Sequence, residues 1–388
     1  MEPQAIDWIT FDDLLGRLPS SLNSIYPLAG RSCARFLNLS SETQASKQIP
    51  LKTLVVIAKH FAVLDSPSCN GMRSMLTEPV ALSVVICTFN PRPEYFDRCL
   101  KALETQTVSV DKWELLLVDN ASDSGKAPRP DLSWHPRARL VCEPRPGLTP
   151  ARLRGIRETM GGLLVFVDDD NVLDSDFLGT ALHVSKEKPF LGSWSGQCRA
   201  AFENQPPEWT RRYWGSLVIR EFDKDVWSNL HRLPQSMPCG AGLCVRRDVA
   251  LRYLDLHESG KRSFQFDRTG DSLLSGGDND LAACACDIGL GVGLIASLKL
   301  THLVPPERLT VDYLERLAEG IHYSSTLLDS EHGIHTGQRT ALGRTADFLR
   351  IMRLEQPHRR ILRAAFRGRD RALQQLSRAN ICRTQEKN

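Results

Sequence analysis

The chain has 388 residues, 41% of them hydrophobic and 24% charged, with a formal net charge of +3. This length can bury a large core and hold two or three domains, and the composition is that of an ordinary globular protein. The near balance of charge asks for no nucleic-acid partner. Eleven cysteines are scattered without a C-x-x-C pair, several of them inside apolar runs, and Cys284 and Cys286 have a poor chelating spacing on a helix. They read as reduced core thiols, which excludes a disulfide framework and a zinc site. The N-terminus, Met1-Glu2-Pro3, lacks the basic region of a signal peptide, and no apolar run reaches the roughly 18–20 residues of a membrane span. The expected location is cytoplasmic, peripheral at the inner face of a membrane.

Residues 1–78 show weak helical periodicity (Phe11, Leu14, Leu15, Leu18) and then a Ser/Asn-rich stretch. Met72 and Met75 stand just before the composition changes at Leu82. We read residues 1–75 as a dispensable N-terminal extension, with a small helical cap as the competing reading.

A β-branched run over 82–88 is of strand length and ends at Phe89-Asn90-Pro91. Residues 95–106 place Phe96, Leu100 and Leu103 on one helix face. A second apolar strand, 113–118, ends in Asp119-Asn120, and a Pro/Ser/Asp/Lys loop fills 121–136. A short strand is expected over 138–142 and a basic amphipathic helix over 149–160, closed by Gly161-Gly162. The run Leu163 to Val167 then stops abruptly at Asp168-Asp169-Asp170. Alternating helices and near-continuous apolar strands imply an α/β fold, a mostly parallel sheet flanked by helices.

Three adjacent carboxylates repel one another, and something positive must offset that. A divalent cation shared with substrate phosphates does so; the bland alternative is a solvated turn capping the next helix near 174–178. In parallel sheets ligands bind beyond the carboxyl ends of the strands. Those ends carry Thr88, Asn90, Asp119 and the three aspartates, and the helix from Thr149 adds a positive N-terminus and arginines suited to phosphates.

The stretches VVICTFNP, WELLLVDNAS, EPRPGLTPARLRGI and LLVFVDDDN resemble the nucleotide-binding half of family 2 glycosyltransferases of the GT-A fold. Further on, MPCGAGLCVRRD (237–248) is similar to the acceptor-side segment of that family, and Gly276-Gly277-Asp278-Asn279-Asp280-Leu281 to its G-E-D-x-D-L motif. His302, Pro305, Arg308 and Tyr313 resemble the tail of bacterial members. The likeness covers about 82–320, and in this order and spacing the motifs are specific.

The resemblance implies a Rossmann-like GT-A domain over 79–305, with a nucleotide-binding half (79–173) and an acceptor half (174–305), followed by a helical basic C-terminal region (306–388). It implies that Thr88, Asn90 and Asp119 hold the base and ribose of a nucleotide-sugar, that Asp168 or Asp169 contacts ribose, and that Arg152 lies near the diphosphate. Asp168 and Asp170 would be the D-x-D pair, with Asp170 ligating Mn²⁺ or Mg²⁺ and His302 a late ligand. Asp278 would be the general base, with Asp280 the alternative. The implied function is an inverting, metal-dependent glycosyltransferase acting on a hydroxyl of a glycan or lipid-linked acceptor in polysaccharide synthesis. The alternative is a catalytically silent nucleotide-sugar-binding homologue. The chain departs from the family pattern at Gly277, where the family has Glu, and at Leu153, where it has Asn.

Residues 190–236 hold four of the seven tryptophans, which suit a sugar platform or a packed lid, and 203–213 reads as a mobile acceptor loop. From 336 to 388 there are 13 Lys or Arg against 4 Asp or Glu. Arg359, Arg360, Arg363, Arg367, Arg369 and Arg371 cluster beside a stripe of Leu349, Met352, Ile361, Leu362, Ala365 and Phe366. A basic amphipathic helix suits an anionic membrane surface, and peripheral contact through this region is expected.

Overall fold

The computed structural model describes residues 80–262, 264, 266–268, 273–334 and 340–385, together with the pairs 8–9 and 49–50. The chain divides into two compact units, Met1–Glu78 and Pro79–Asn388. In the first, Trp8–Ile9 pairs antiparallel with Ile49–Pro50; the expectations for the rest of 1–78 lie outside the described residues.

The second unit is built on a nine-stranded sheet. Its strands are β1 (Leu82–Thr88), β2 (Trp113–Asp119), β3 (Ala138–Cys142), β4 (Leu163–Val167), β5 (Asn171–Leu173), β6 (Leu191–Phe202), β7 (Val226–Ser228), β8 (Leu243–Arg246) and β9 (Gly291–Val304). The order is β3-β2-β1-β4-β8-β6-β9-β5, with β7 also on β9. From β3 to β4 every pairing is parallel. Beyond β4 the sheet is mixed: β8 is antiparallel to β4 and β6, β9 is parallel to β6, and β5 and β7 run against β9. The expected mostly parallel sheet is thus parallel through its first half and mixed in its second, where β6 and β9 form the parallel pair.

Side chains of a strand alternate between the two faces, so a run apolar at every position must be covered on both. Val84 and Ile86 face α1 (Pro93–Glu104) and α3 (Phe177–Glu187), while Val85 faces α2 (Leu148–Glu158), α4 (Arg247–Glu258) and α5 (Gly277–Asp287). In β2, Leu115 and Leu117 go one way and Leu116 and Val118 the other. All of these are fully buried. Each contributes about 1.5–3 kcal/mol by leaving water.

Trp194 is buried on β6, and Trp209 and Trp214 pack in a small cluster with Leu217 and Val304, so the tryptophan-rich segment serves mainly as packing. Cys99, Cys198, Cys239, Cys244 and Cys284 are free and buried, as read from the sequence, but Cys142 is exposed.

The C-terminal part is helical: α6 (Val311–Glu331), α7 (Ala341–Met352) and α8 (His358–Gln385). Arg360 pairs with Asp312 at 2.8 Å and Glu315 at 2.6 Å, Arg367 with Glu315 at 2.9 Å, and Arg371 with Glu319 at 2.6 Å. Partners advance together along both helices, so α6 and α8 run parallel. Ile361 and Ala365 are buried. The arginines and apolar stripe that the sequence grouped as one outward face are therefore divided: α8 turns much of both toward α6, because α6 carries the matching acids.

Candidate active site

A cavity of about 440 Å³ opens beyond the carboxyl ends of the parallel strands. β1 brings Thr88 to its wall, β4 the three aspartates, α2 its first turn and Arg152, and α5 brings Asp278. His302 arrives by strand register: β5 follows the aspartates at once, and its Asn171 pairs with His302 of β9.

The three carboxylates sit in different environments. Thr88 Oγ1 donates to Asp169 Oδ2. Burial and the neighbouring Asp170 push the Asp169 carboxyl up to about 7. Asp168 is raised too, by burial and then by Asp170, and its carboxylate has no hydrogen bond or ion pair among the described residues. Burial alone would raise Asp170, but His302 and Arg308 outweigh it and hold this carboxyl well below the usual range. Arg308 lies 2.8 Å from Asp170 and His302 Nε2 3.3 Å from it. His302 Nδ1 lies 3.1 Å from the Leu217 carbonyl, which can only accept, so Nδ1 carries the proton and Nε2 offers its lone pair. Arg308 Nη1 donates to that Nε2 at 2.8 Å.

These residues fit a divalent cation. Two of the carboxylates are driven toward neutrality by burial and by the neighbouring Asp170, and the third stays ionised beside His302 and Arg308. A histidine whose Nδ1–H is held by a carbonyl turns its Nε2 toward a ligand position, a common arrangement; here Arg308 occupies that Nε2 at 2.8 Å. Asp168, Asp170 and His302 Nε2 would hold the ion.

α2 begins at Gly147, whose φ of +124° favours glycine and which has no side-chain cap over its helix N-terminus. Gly147 N donates to Asn120 Oδ1 at 2.7 Å, and Pro146, Gly147 and Leu148 line the cavity. An uncapped helix start beside an arginine is suited to phosphate. Arg152 is buried and donates to Asp267 Oδ2 at 2.9 Å. Burial would lower its pKa, but Asp267, then Asp278, hold it firmly charged. Asp278 Oδ2 accepts from Gly240 N at 2.7 Å and Oδ1 from Asn279 N at 3.0 Å.

Asp280, the alternative base, points away from the cavity. It is fully buried against Arg262 Nη2 at 2.7 Å, and burial pushes its carboxyl up to about 6 against that arginine's pull. Asn90 and Asp119 do not line the cavity. Asn90, at φ +50°, exchanges hydrogen bonds with Asp123, its Nδ2 to Oδ2 and its Oδ1 from Asp123 N, each at 2.9 Å. Asp119 Oδ1 accepts from Ser122 N at 3.3 Å. Both side chains hold the loop after β2.

Sequence reasoning missed Asp267, Arg268 and Gly240, and named Arg308 without a role. Only the tertiary structure brings the segment holding Asp267 and Arg268 onto α2. Arg308 did carry a signal, since it follows His302 by six residues in a motif already noted.

This sheet, with acids at the end of β4 and a second acid at the start of α5, has the arrangement expected of the GT-A fold. Residues 83–238 match the family described as glycosyl transferase family 2. Among curated relatives, an N-acetylglucosaminyltransferase of Sinorhizobium fredii is 26% identical over 193 residues, covering 47% of this chain and 44% of that protein. A counterpart from Bradyrhizobium diazoefficiens is 26% identical over 191 residues, covering 46% and 37%. Glycosyltransferase AglE of Haloferax volcanii is 33% identical over 92 residues, 23% of this chain and 30% of that one. The chain thus spans less than half the length of these relatives. Among solved structures, a mannosyltransferase of Pyrobaculum calidifontis, in complex with GDP-Man and Mn²⁺, is 17% identical with a TM-score of 0.48, covering 82% of this chain and 97% of that one. TarS 1–349 of S. aureus, in complex with UDP, is 15% identical with a TM-score of 0.40, covering 71% and 75%.

Proposed function

We propose that the chain is an inverting, metal-dependent glycosyltransferase that moves a sugar from a nucleotide-sugar to a hydroxyl of a glycan or lipid-linked acceptor, in the synthesis of a cell-surface or extracellular polysaccharide. It would work at the inner face of a membrane, in contact through its C-terminal region. One observation carries the catalytic reading: Asp278 and the three aspartates share one cavity with the α2 N-terminus and Arg152.

Bound at Asp168, Asp170 and His302, Mn²⁺ or Mg²⁺ supplies Lewis-acid charge for the departing diphosphate. The α2 N-terminus, Arg152, Arg268 and Arg308 hold its oxygens and favour the charge that develops on them. Asp278 takes the proton of the acceptor hydroxyl. Two backbone N–H groups, from Gly240 and Asn279, keep its carboxylate oriented. A base on the acceptor side, facing away from the leaving group, gives inversion. Gly277 is the feature that favours a silent homologue; the Asp267 carboxylate lies within 2.1 Å of where its Cβ would be, which supports the active reading.

The test is release of nucleoside diphosphate from a panel of UDP-, GDP- and dTDP-sugars with Mn²⁺ or Mg²⁺. The rhizobial relatives' name puts an N-acetylglucosamine donor first. Release from one donor, lost in Asp170→Asn and Asp278→Asn, is expected. Donor binding without release under any condition, with acceptors present, would instead make the chain a silent homologue.

A further inference from the structure

α7 is a twelve-residue amphipathic helix that turns its apolar side outward. Leu342, Phe348, Leu349 and Met352 are 80%, 57%, 51% and 49% exposed. At roughly 100° per residue these four fall within one arc of about 120°. Ile351, on the far side of the helix, is the half-buried one. Ile334, 40% exposed, lies shortly before α7 in the chain. A contiguous apolar face of this kind marks a binding surface.

Charge says what covers it. Arg360, Arg367 and Arg371 of α8 are neutralised by the acids of α6. Arg353 borders one edge of the apolar arc and Arg350 lies further round on that same side, at the groove against α6 and α8; both are exposed and have no carboxylate partner among the described residues, nor has the exposed Arg363 of α8. The sequence from 336 to 388 carries 13 basic residues against 4 acidic ones. No helix of the described residues is long and apolar enough to cross a membrane. Cations beside exposed leucine and phenylalanine complement an anionic, apolar layer, the combination offered by a bilayer interface.

We propose that α7 docks this chain on an anionic lipid bilayer, with Leu342, Phe348, Leu349 and Met352 entering the headgroup–acyl boundary and Arg350 and Arg353 on headgroup phosphates. This rests on the membrane contact proposed above and narrows it from the C-terminal region to α7. It needs no catalytic role for the cavity.

The experiment is flotation of the full chain with vesicles of phosphatidylcholine containing phosphatidylglycerol, and with phosphatidylcholine alone. The variants are Phe348→Ser/Leu349→Ser and Arg350→Glu/Arg353→Glu. All four side chains are exposed, so both variants should melt like the parent. The parent is expected to float with the anionic vesicles and to partition about tenfold or more less onto the neutral ones. Each double variant should lose about tenfold or more of the anionic partition. Raising salt should weaken it. Failure of the parent to float, equal flotation on neutral vesicles, or variants that float like the parent would each overturn the proposal. So would a dimer broken by Phe348→Ser/Leu349→Ser with flotation unchanged, which would make a second copy the occupant. Donor turnover measured without vesicles keeps this outcome separate from the catalytic reading.

Discussion

The carboxylate of Asp267 lies where a side chain at position 277 would have to go. A Cβ on Gly277 would fall 2.1 Å from Asp267 Oδ2 and 2.2 Å from its Cγ. The same Oδ2 accepts from Arg152 Nη1 at 2.9 Å and from Thr149 Oγ1 at 3.0 Å. Glycine at 277 is thus the condition for a carboxylate from another segment to clamp α2 beside the cavity.

Gly277→Ala should displace Asp267 and lower donor turnover on the order of 10²-fold through misplacement of Arg152. Asp267→Ala should leave Arg152 buried without its partner and cost about 3–5 kcal/mol of stability, read as a fall in Tm. Combining Asp267→Gly with Gly277→Glu returns a carboxylate from the opposite side. Partial recovery of turnover in that double variant is expected; a double variant no better than either single would mean that Asp267 serves only packing.

Arg308 and a divalent cation compete for Asp170. Removing a positive charge 2.8 Å from that carboxylate strengthens its attraction for a cation, while the donor diphosphate loses an arginine. Arg308→Gln should therefore bind Mn²⁺ several-fold more tightly without donor, and raise the donor KM about tenfold. Calorimetric titration and steady-state kinetics check the two halves separately.

The Asp169 carboxyl, pushed up to about 7 by burial and Asp170, makes cation binding pH-dependent. A proton neutralises the acidic cluster below pH 7 and disfavours a second positive charge there, so affinity for Mn²⁺ should rise as pH goes from 6 to 8. Asp169→Asn should flatten that rise. An equal slope in the variant would show that Asp169 is not the group responsible.

His135 is buried edge-on to Trp113, with ring centroids 4.2 Å apart. Its Nδ1 accepts from Arg137 N at 3.1 Å, and burial pulls its pKa down to about 4. The unfolded chain, with an ordinary histidine, binds a proton that the folded chain refuses. Stability present above pH 6.5 is therefore lost as pH falls toward 4, on the order of 1–2 kcal/mol at pH 5. His135→Phe should melt with a shallower fall in Tm between pH 7 and pH 5 than the parent.

Strand runs apolar at every position, such as 82–88 and 163–167, could be read directly, because burial on both faces leaves a local mark. The abrupt end of one such run in three aspartates was legible for the same reason: like charges at the end of a buried strand are costly unless the fold uses them. The choice between Asp278 and Asp280 was not legible. Two residues apart at a helix start, they point in different directions, and only packing decides that Arg262 takes one and the cavity the other. Asn90 and Asp119 show the same limit, since their place at strand ends did not reveal that the loop after β2 would engage their side chains.

The sequence by itself determined the parallel half of the sheet, its helices and the acidic strand end, because each rests on periodicity and local charge. The tertiary structure alone decided that β9 would run against β5 and set His302 beside Asp170, that Asp267 would fill the space over Gly277, and that α8 would turn its arginines to α6 while α7 keeps an apolar face outward. These contacts join segments far apart in the chain. Strand register, close backbone approach and complementary charge select them only once the elements have packed, and no local pattern records them beforehand.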